Sequence, residues 1–414
     1  MRIYEKTIKP ELVSPAGDWP SLLAAVENGA DSVYFGVKTL NMRNLAANFD
    51  IMELPKIMNF VHDNNKKGYL ALNVIVRDKE LAKVERILRV AKKAHVDAVV
   101  LWDMAVFSIA SKLGLNIHLS TQASVSNKES VLFFSKLGVK RIVLARECSL
   151  EEIRTIIDYI AKKHLPCEIE TFIHGAMCVS ISGRCFLSEY SFDKSANRGE
   201  CLQPCRREYY ISDVEGDVSY RLGKDYILSP KDLCGIDFLD DLIASGIHAF
   251  KIEGRMKAAE YVKVVTSVYR RAIDAALEGR LSTSLKRDFK KQLKTVFNRG
   301  FSEGFLFGAP RGEISKGKEH TYEKVFVGEV TKFFKKIGVS QIKIFDQPLK
   351  IGDTIMFIGK NTPAREVLVA EIQLQHKPQK KALKGQQVGV KIPFIVRTND
   401  KVFLWRKKRI HSNV

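Results

Sequence analysis

The chain of 414 residues carries 67 Lys and Arg against 47 Asp and Glu, a formal charge of +20, with 45% hydrophobic and 28% charged residues. That balance excludes a disordered or fibrous chain, and the length calls for two or three domains. No apolar run approaches a membrane span and the first residues hold no apolar leader, so a cytoplasmic location and no membrane contact are expected. From residue 11 onward, short β-branched runs alternate with amphipathic stretches, the pattern of a parallel sheet covered by helices. The predicted strands begin at Glu11-Leu-Val-Ser-Pro-Ala-Gly17 and continue through residues 32–36, 69–74, 98–103, 117–122, 141–146, 169–174 and 250–254, eight in all. Helical periodicity fills Lys79 to Val96, Ser149 to His164 and Ala258 to Gly279. The expected fold is therefore α/β, a TIM-type (β/α) barrel over residues 1–280, with a doubly wound sheet as the fallback.

One connection is abnormally long. Residues from Gly175 to about Tyr226 separate the seventh strand from renewed helical patterning at Gly235 to Ser245, and long loops in compact domains usually carry function. The loop follows the C-terminal end of a barrel strand, where such barrels place their chemistry. A basic, helical connector is expected from 281 to 318, followed by period-two strands over 319–414 that predict a small C-terminal β-barrel.

Seven cysteines in a cytoplasmic chain argue against disulfides, and five of them fall between Cys178 and Cys234. Cys148 and Cys167 sit in contexts typical of buried structural thiols. Six residues separate Cys178 from Cys185, fifteen precede Cys201, and three separate Cys201 from Cys205. Four thiolates complete the shell of an iron–sulfur cluster or of structural zinc, although the six-residue gap fits zinc knuckles poorly. Cys234 stands as an alternative fourth ligand, and a purely structural set remains open. Arg184, Arg198, Arg206 and Arg207 give the same loop a cationic character that suits a phosphate polymer, unless they pair with Asp193 and Glu200.

Glu170, His174, Lys251, Glu253 and Arg255 are the candidate catalytic residues at the ends of strands seven and eight, joined by Asn73, Asp103, Gln122 and Arg146 at other strand ends. Glu170 and His174 could perform acid–base work, while a histidine beside a packed strand is more often structural. No His-Glu-x-x-His, Gly-x-Ser-x-Gly or readable nucleophile and base pairing is present.

Glu170-Thr-Phe-Ile-His-Gly-Ala-Met-Cys178 with its continuation to Ser188 closely resembles the signature of the collagenase-like peptidase family, the peptidases of unknown catalytic type numbered thirty-two. Glu11 to Gly17, Asn197-Arg-Gly-Glu-Cys-Leu-Gln-Pro-Cys-Arg206, Ser229 to Leu233 and Lys251-Ile-Glu-Gly-Arg255 extend the resemblance over nearly the whole chain. Residues 349–355 and 383–390 resemble the barrel domain of translation GTPases, which meets RNA in its relatives. Within the family, the resemblance implies an RNA-hydroxylating branch: oxygen-independent 5-hydroxylation of the tRNA wobble uridine, with prephenate as co-substrate. It also implies a 4Fe-4S cluster on Cys178, Cys185, Cys201 and Cys205, and partnership with tRNA or rRNA and with a paralogous family member. A collagenase-like peptidase, an rRNA cytidine hydroxylase and a non-catalytic cluster-bearing RNA-binding partner are the alternatives.

Overall fold

The structure is a computed structural model that describes residues 8–221, 228–310 and 314–408. The expected loop end near Tyr226, and the ends of the connector and terminal region at 311–313 and 409–414, lie outside the described residues.

Eight parallel strands close a barrel: β1 (Glu11–Ala16), β2 (Ser32–Gly36), β3 (Lys67–Ala71), β4 (Ala98–Leu101), β5 (Ile117–Leu119), β6 (Arg141–Val143), β7 (Glu168–Ala176) and β8 (Ala249–Ile252). Each pairs with the next, and β8 closes the ring by pairing with both β1 and β7. These strands read as apolar runs because the sheet is covered on both faces, as parallel sheets require. Helices α1 (Trp19–Glu27), α2 (Leu54–Asp63), α3 (Leu81–Lys93), α4 (Met104–Lys112), α5 (Lys128–Lys136) and α6 (Leu150–Lys163) cover the outside. Side-chain oxygens of Asp18, Asp103, Asn127 and Ser149 cap four of them by accepting from free first-turn amides. Val13, Tyr34, Tyr69, Val100 and Ala249 pack together as a separate small core.

The long insertion after β7 is not shapeless. It holds a short helix α7 (Leu187–Phe192), several tight 3-10 turns and a two-stranded hairpin, Tyr210–Ser212 with Ser219–Arg221. β7 itself runs beyond the barrel, and Asp232–Cys234 returns antiparallel to its last residues. Phe301–Ser302 then adds in parallel beside Asp232–Leu233. Helices α8 (Leu239–Ala244) and α9 (Ala259–Leu277) flank β8. Among the described residues of the basic connector, only α10 (Thr283–Leu293) is helical; beyond it the chain turns back to the sheet through Phe301.

The terminal region is an eight-stranded antiparallel sheet wrapped around its own apolar core, which includes Val327, Ile342, Phe357, Val390 and Val402. Its long central strand β9 (Tyr322–Phe334) pairs on one side with β10 (Val339–Ile344) and on the other with the last strand, β11 (Lys401–Lys407). Met356 and Ala364 of this sheet join the barrel core beside α1 and α9, so the two layers share an apolar seam.

Candidate active site

Two connections build the cavity at the C-terminal mouth of the barrel. Tight contacts draw the cysteine insertion inward. The Asn197 amide locks Cys185 by accepting from its N–H (3.0 Å) and donating to its carbonyl (3.2 Å). Ser188 Oγ accepts from Leu202 N–H (3.0 Å), which draws the Cys201 segment to the same place. Glu147, just after β6, receives the Ser182 N–H at 2.6 Å. Gly199 has a positive φ of 86°, and a Cβ there would meet the Asn41 carbonyl oxygen at 2.1 Å. Only glycine lets the insertion lie backbone to backbone on the loop after β2.

The resulting cavity, about 220 Å³, is lined by Cys178, Cys185, Cys201 and Cys205 together. All four are half-buried and none is in a disulfide. Backbone N–H groups of Leu187 and Gln203 point at Cys185 Sγ (3.3 Å) and Cys201 Sγ (3.4 Å), the kind of donation that supports a thiolate holding metal. Burial pushes the Cys205 thiol up, with Arg206 opposing the shift. Among the described residues no three His, Cys, Asp or Glu side chains converge as a site for one metal ion. Four cysteine thiols lining one cavity are a donor set that an iron–sulfur cluster or a structural zinc could use.

Cys234 does not belong to this ring. It pairs with His174 in the sheet, is buried, and its sulfur faces the Tyr269 hydroxyl at 3.8 Å. Burial raises its thiol to about 11, and it does not line the cavity with the other four. Cys148 and Cys167 are likewise buried, each pushed up to about 12 by burial.

Five cations line the cavity, Arg43, Arg146, Arg206, Lys257 and Arg299, against one carboxylate, Glu253. Burial alone would raise the Glu253 carboxyl, but Arg43, Arg146 and Arg255 outweigh it and hold it down at about 2. Arg43 reaches Glu253 Oε1 through Nε (3.2 Å) and Nη2 (3.1 Å), and Arg146 Nη2 reaches Oε2 at 3.4 Å. Arg146 also donates to the Ala176 carbonyl (2.8 Å) and lies over the Phe172 ring. Burial, assisted by the neighbouring Arg299, lowers Lys257 to about 7, and its ammonium sits over the Phe297 ring. Arg299 is held by Asp232 at 3.2 Å.

Of the other sequence candidates, Gln122 also lines this cavity, and Lys251 and Arg255 line a smaller adjoining one that shares Arg43, Arg146 and Glu253 with it. Glu170 is the third residue of β7, wholly buried inside the barrel, where it accepts from Lys251 Nζ (2.6 Å) and Arg141 (3.3 Å). It belongs to an ion network that continues to Glu11 and does not reach the thiol-lined cavity. Lys251 serves the same network and lies over the Tyr34 ring at 4.3 Å. His174 is turned out of the barrel. The β7–β8 register shifts between Lys251 and Ile252, leaving Ile173 as the extra residue, and such a bulge re-aims the side chains that follow it. His174 packs against Tyr261, Tyr269 and Phe301, and burial lowers it to about 3. Neither Glu170 nor His174 lines the thiol-walled cavity. Arg255 lies just inside the mouth, donating to Asn41 Oδ1 (3.0 Å) and lowered by burial to about 10. Asp103 caps α4, while Asn73 donates to Gln122 (3.2 Å) and braces Met42 N–H (3.2 Å) under the cavity. Of the loop arginines, Arg198 is bound to Glu80 and Arg184 to Ser124; Arg206 faces the cavity, donating to the Met177 carbonyl.

Sequence reasoning missed Arg43, Lys257 and Arg299. Arg43 sits in the loop after β2, at the correct end of a barrel strand, and position alone could have flagged it. Lys257 follows the Lys251–Arg255 motif by two residues.

Fold and cavity together define a (β/α)-barrel protein whose mouth is walled by four free thiols and a cationic cluster. A model of peptidase family U32 matches residues 17–316, and the chain belongs to that family. It is 44% identical to an uncharacterized protease of Methanocaldococcus jannaschii, over 96% of this chain and 98% of that one. A collagenase of Porphyromonas gingivalis is 37% identical over the same shares, 96% and 98%. A protein named tRNA hydroxylation protein P1 of Bacillus subtilis is 35% identical, over 85% of this chain and 84% of that one. Among the described residues no helix is long and apolar enough to cross a membrane.

Proposed function

We propose that this chain hydroxylates RNA, with the wobble uridine of tRNA as its substrate, carbon 5 as the site and prephenate as co-substrate. The observation that carries this reading is the ring of Cys178, Cys185, Cys201 and Cys205 around a cationic cavity at the barrel mouth. Those four thiols would hold a 4Fe-4S cluster, which supplies one-electron transfer when bound. Arg43 and Arg146, fixed by the ionised Glu253, present guanidinium edges matched to carboxylate or phosphate. Arg206 and Arg299 add charge on the same wall, so a dicarboxylate such as prephenate has complementary partners. Lys257, lowered to about 7, is poised to hold a proton at Nζ and to release it near neutrality.

The collagenase relative favours proteolysis as a second reading. Against it, the cavity lining contains no histidine to activate its thiols or serines, and His174 is buried on the far side of β7. The deciding experiment expresses the chain in a host lacking its own tRNA hydroxylation proteins and quantifies 5-hydroxyuridine in digested tRNA by mass spectrometry. Its return supports the reading. Unmodified tRNA together with cleavage of denatured collagen by the purified protein would transfer the assignment to the peptidase, and hydroxycytidine in rRNA instead would move the substrate.

A further inference from the structure

Next to the thiol-ringed cavity lies a second cleft, about 350 Å³, between the start of α9 and the terminal sheet. Met256 and Lys257 line both, so the two spaces share a wall. Two aromatic pairs face this cleft. Phe297 and His320 stack with centroids 5.8 Å apart and planes 29° apart; Tyr322 and Trp405 lie 5.4 Å apart at 33°. All four rings are half-buried; Phe297 is covered by His320, Lys257 and Arg299, so the ring surface left for a ligand is that of His320, Tyr322 and Trp405. Burial, with Lys408, Lys318 and Lys257 adding to it, lowers His320 to about 4, which leaves a neutral imidazole as a flat π surface. The one carboxylate in the lining, Glu260, is already matched by Lys324 at 2.9 Å.

The aromatic character does not stop at the cleft. In the β9–β11 ladder, Lys324 is opposite Trp405 and Phe326 opposite Phe403, placing these side chains on one face of the sheet. Lysines cover the rings along it: Lys324 over Phe403 (4.8 Å), Lys401 over Phe326 (5.9 Å) and Lys343 over Phe345 (5.3 Å), with Phe326 and Phe345 nearly parallel. Lys324 and Lys401 already hold Glu260 and Glu329, so the rings carry the recognition and Lys343 adds charge beside them; aromatic faces with cations next to them are the recognition chemistry of single-stranded nucleic acid. A pure packing seam would instead press the rings together and leave no cleft between them.

We propose that this cleft is a base-stacking subsite for an unpaired RNA nucleotide flanking the one held in the thiol-ringed cavity, and that the ring-and-lysine face carries the strand onward. The inference rests on the RNA reading above. It makes the enzyme select a loop with at least two splayed bases, not a duplex.

The test measures fluorescence anisotropy of a labelled RNA hairpin with a seven-nucleotide loop, and of a duplex of equal length, against the full chain. Stacking of one base is worth enough that Trp405→Ala and His320→Ala each weaken hairpin binding by about tenfold, while duplex affinity stays within about twofold. Trp405→Phe, which keeps a stacking face, restores hairpin binding, and thermal melts confirm that His320→Ala, at a less packed position, retains the wild-type fold. Equal hairpin affinity in wild type and both alanine variants overturns the subsite while leaving the RNA reading intact. Selective weakening in a protein that restores no modified nucleoside upholds the subsite and sinks the hydroxylation reading. Wild-type protein that binds neither RNA overturns both.

Discussion

Glu253→Gln tests whether the cationic wall is organised by one carboxylate. Its side chain is 13% exposed and bonded to both Arg43 and Arg146. Lowering of the carboxyl from 4.5 to about 2 corresponds to about 3 kcal/mol of stability, because one unit is about 1.4 kcal/mol. The folded pKa is depressed, so this contribution is fully present above the unfolded value of 4.5 and is lost as pH falls through about 2. Glutamine keeps the acceptor oxygen but not the charge, leaving two buried guanidiniums with a neutral neighbour. Denaturant titrations of wild type and variant should therefore differ by about 3 kcal/mol at pH 7 and by about half that at pH 3. The variant should also bind prephenate poorly, since Arg43 and Arg146 lose their fixed orientation. A stability difference that stays constant between pH 7 and pH 3, or is absent throughout, would refute the assignment of Glu253 as the ionised anchor.

In anaerobically purified protein, serine at Cys178, Cys185, Cys201 or Cys205 should each lower bound iron and sulfide and bleach the visible absorbance, whereas Cys234→Ala should leave both unchanged; iron loss in the latter would reinstate Cys234 as a ligand. Lys257 loses its proton as pH rises through about 7, so the KM for prephenate should climb above that pH, and Lys257→Arg should move the climb to higher pH. His174→Phe should retain hydroxylation and cost about 1 kcal/mol in a thermal melt, the usual net worth of the one hydrogen bond it shares with Tyr269; lost activity in a folded variant would return His174 to the site. Gly199→Ala should destabilise the insertion by at least about 1 kcal/mol through its positive φ alone, read as faster proteolysis between Cys185 and Cys205.

All eight barrel strands were legible because a doubly covered parallel strand must be an apolar run, and nothing local contradicts that signal. The loop's importance was legible from its length and its cysteines. What sequence could not carry was direction. Glu170 and His174 stand four residues apart on one strand, which alternation places on the same face, yet the bulge at Ile173 sends His174 outward. Glu170 keeps the inward face but lies too deep, where Arg141 from β6 consumes it. Cys234 looked available because it is near the quartet in sequence, and only the antiparallel return of Asp232–Cys234 shows it behind β7. Arg43 and Lys257 belong to no periodic pattern, so their convergence is a product of barrel closure.

Net charge also changes meaning once the ion pairs are placed. The ion pairs leave the net +20 as it is but show which cations are already partnered: Lys286 and Lys290 of the basic connector bind Asp240 and Asp237, Lys263 binds Glu366, and Lys401 binds Glu329. A polyanion gains little from cations that already have carboxylate partners at the surface. The cavity is different, since Arg206 is bonded to a backbone carbonyl, Lys257 rests on an aromatic ring, and Arg43 and Arg146 share Glu253, while Arg299 is held by Asp232. Four thiolates holding a cluster would offset only part of that surplus, because the iron–sulfur core is itself cationic. A loaded cavity would therefore be less cationic than the emptied one. Salt should consequently weaken RNA binding more steeply in protein stripped of its iron than in the loaded protein, with equal slopes in the two forms showing that the thiols and the cations do not share one space.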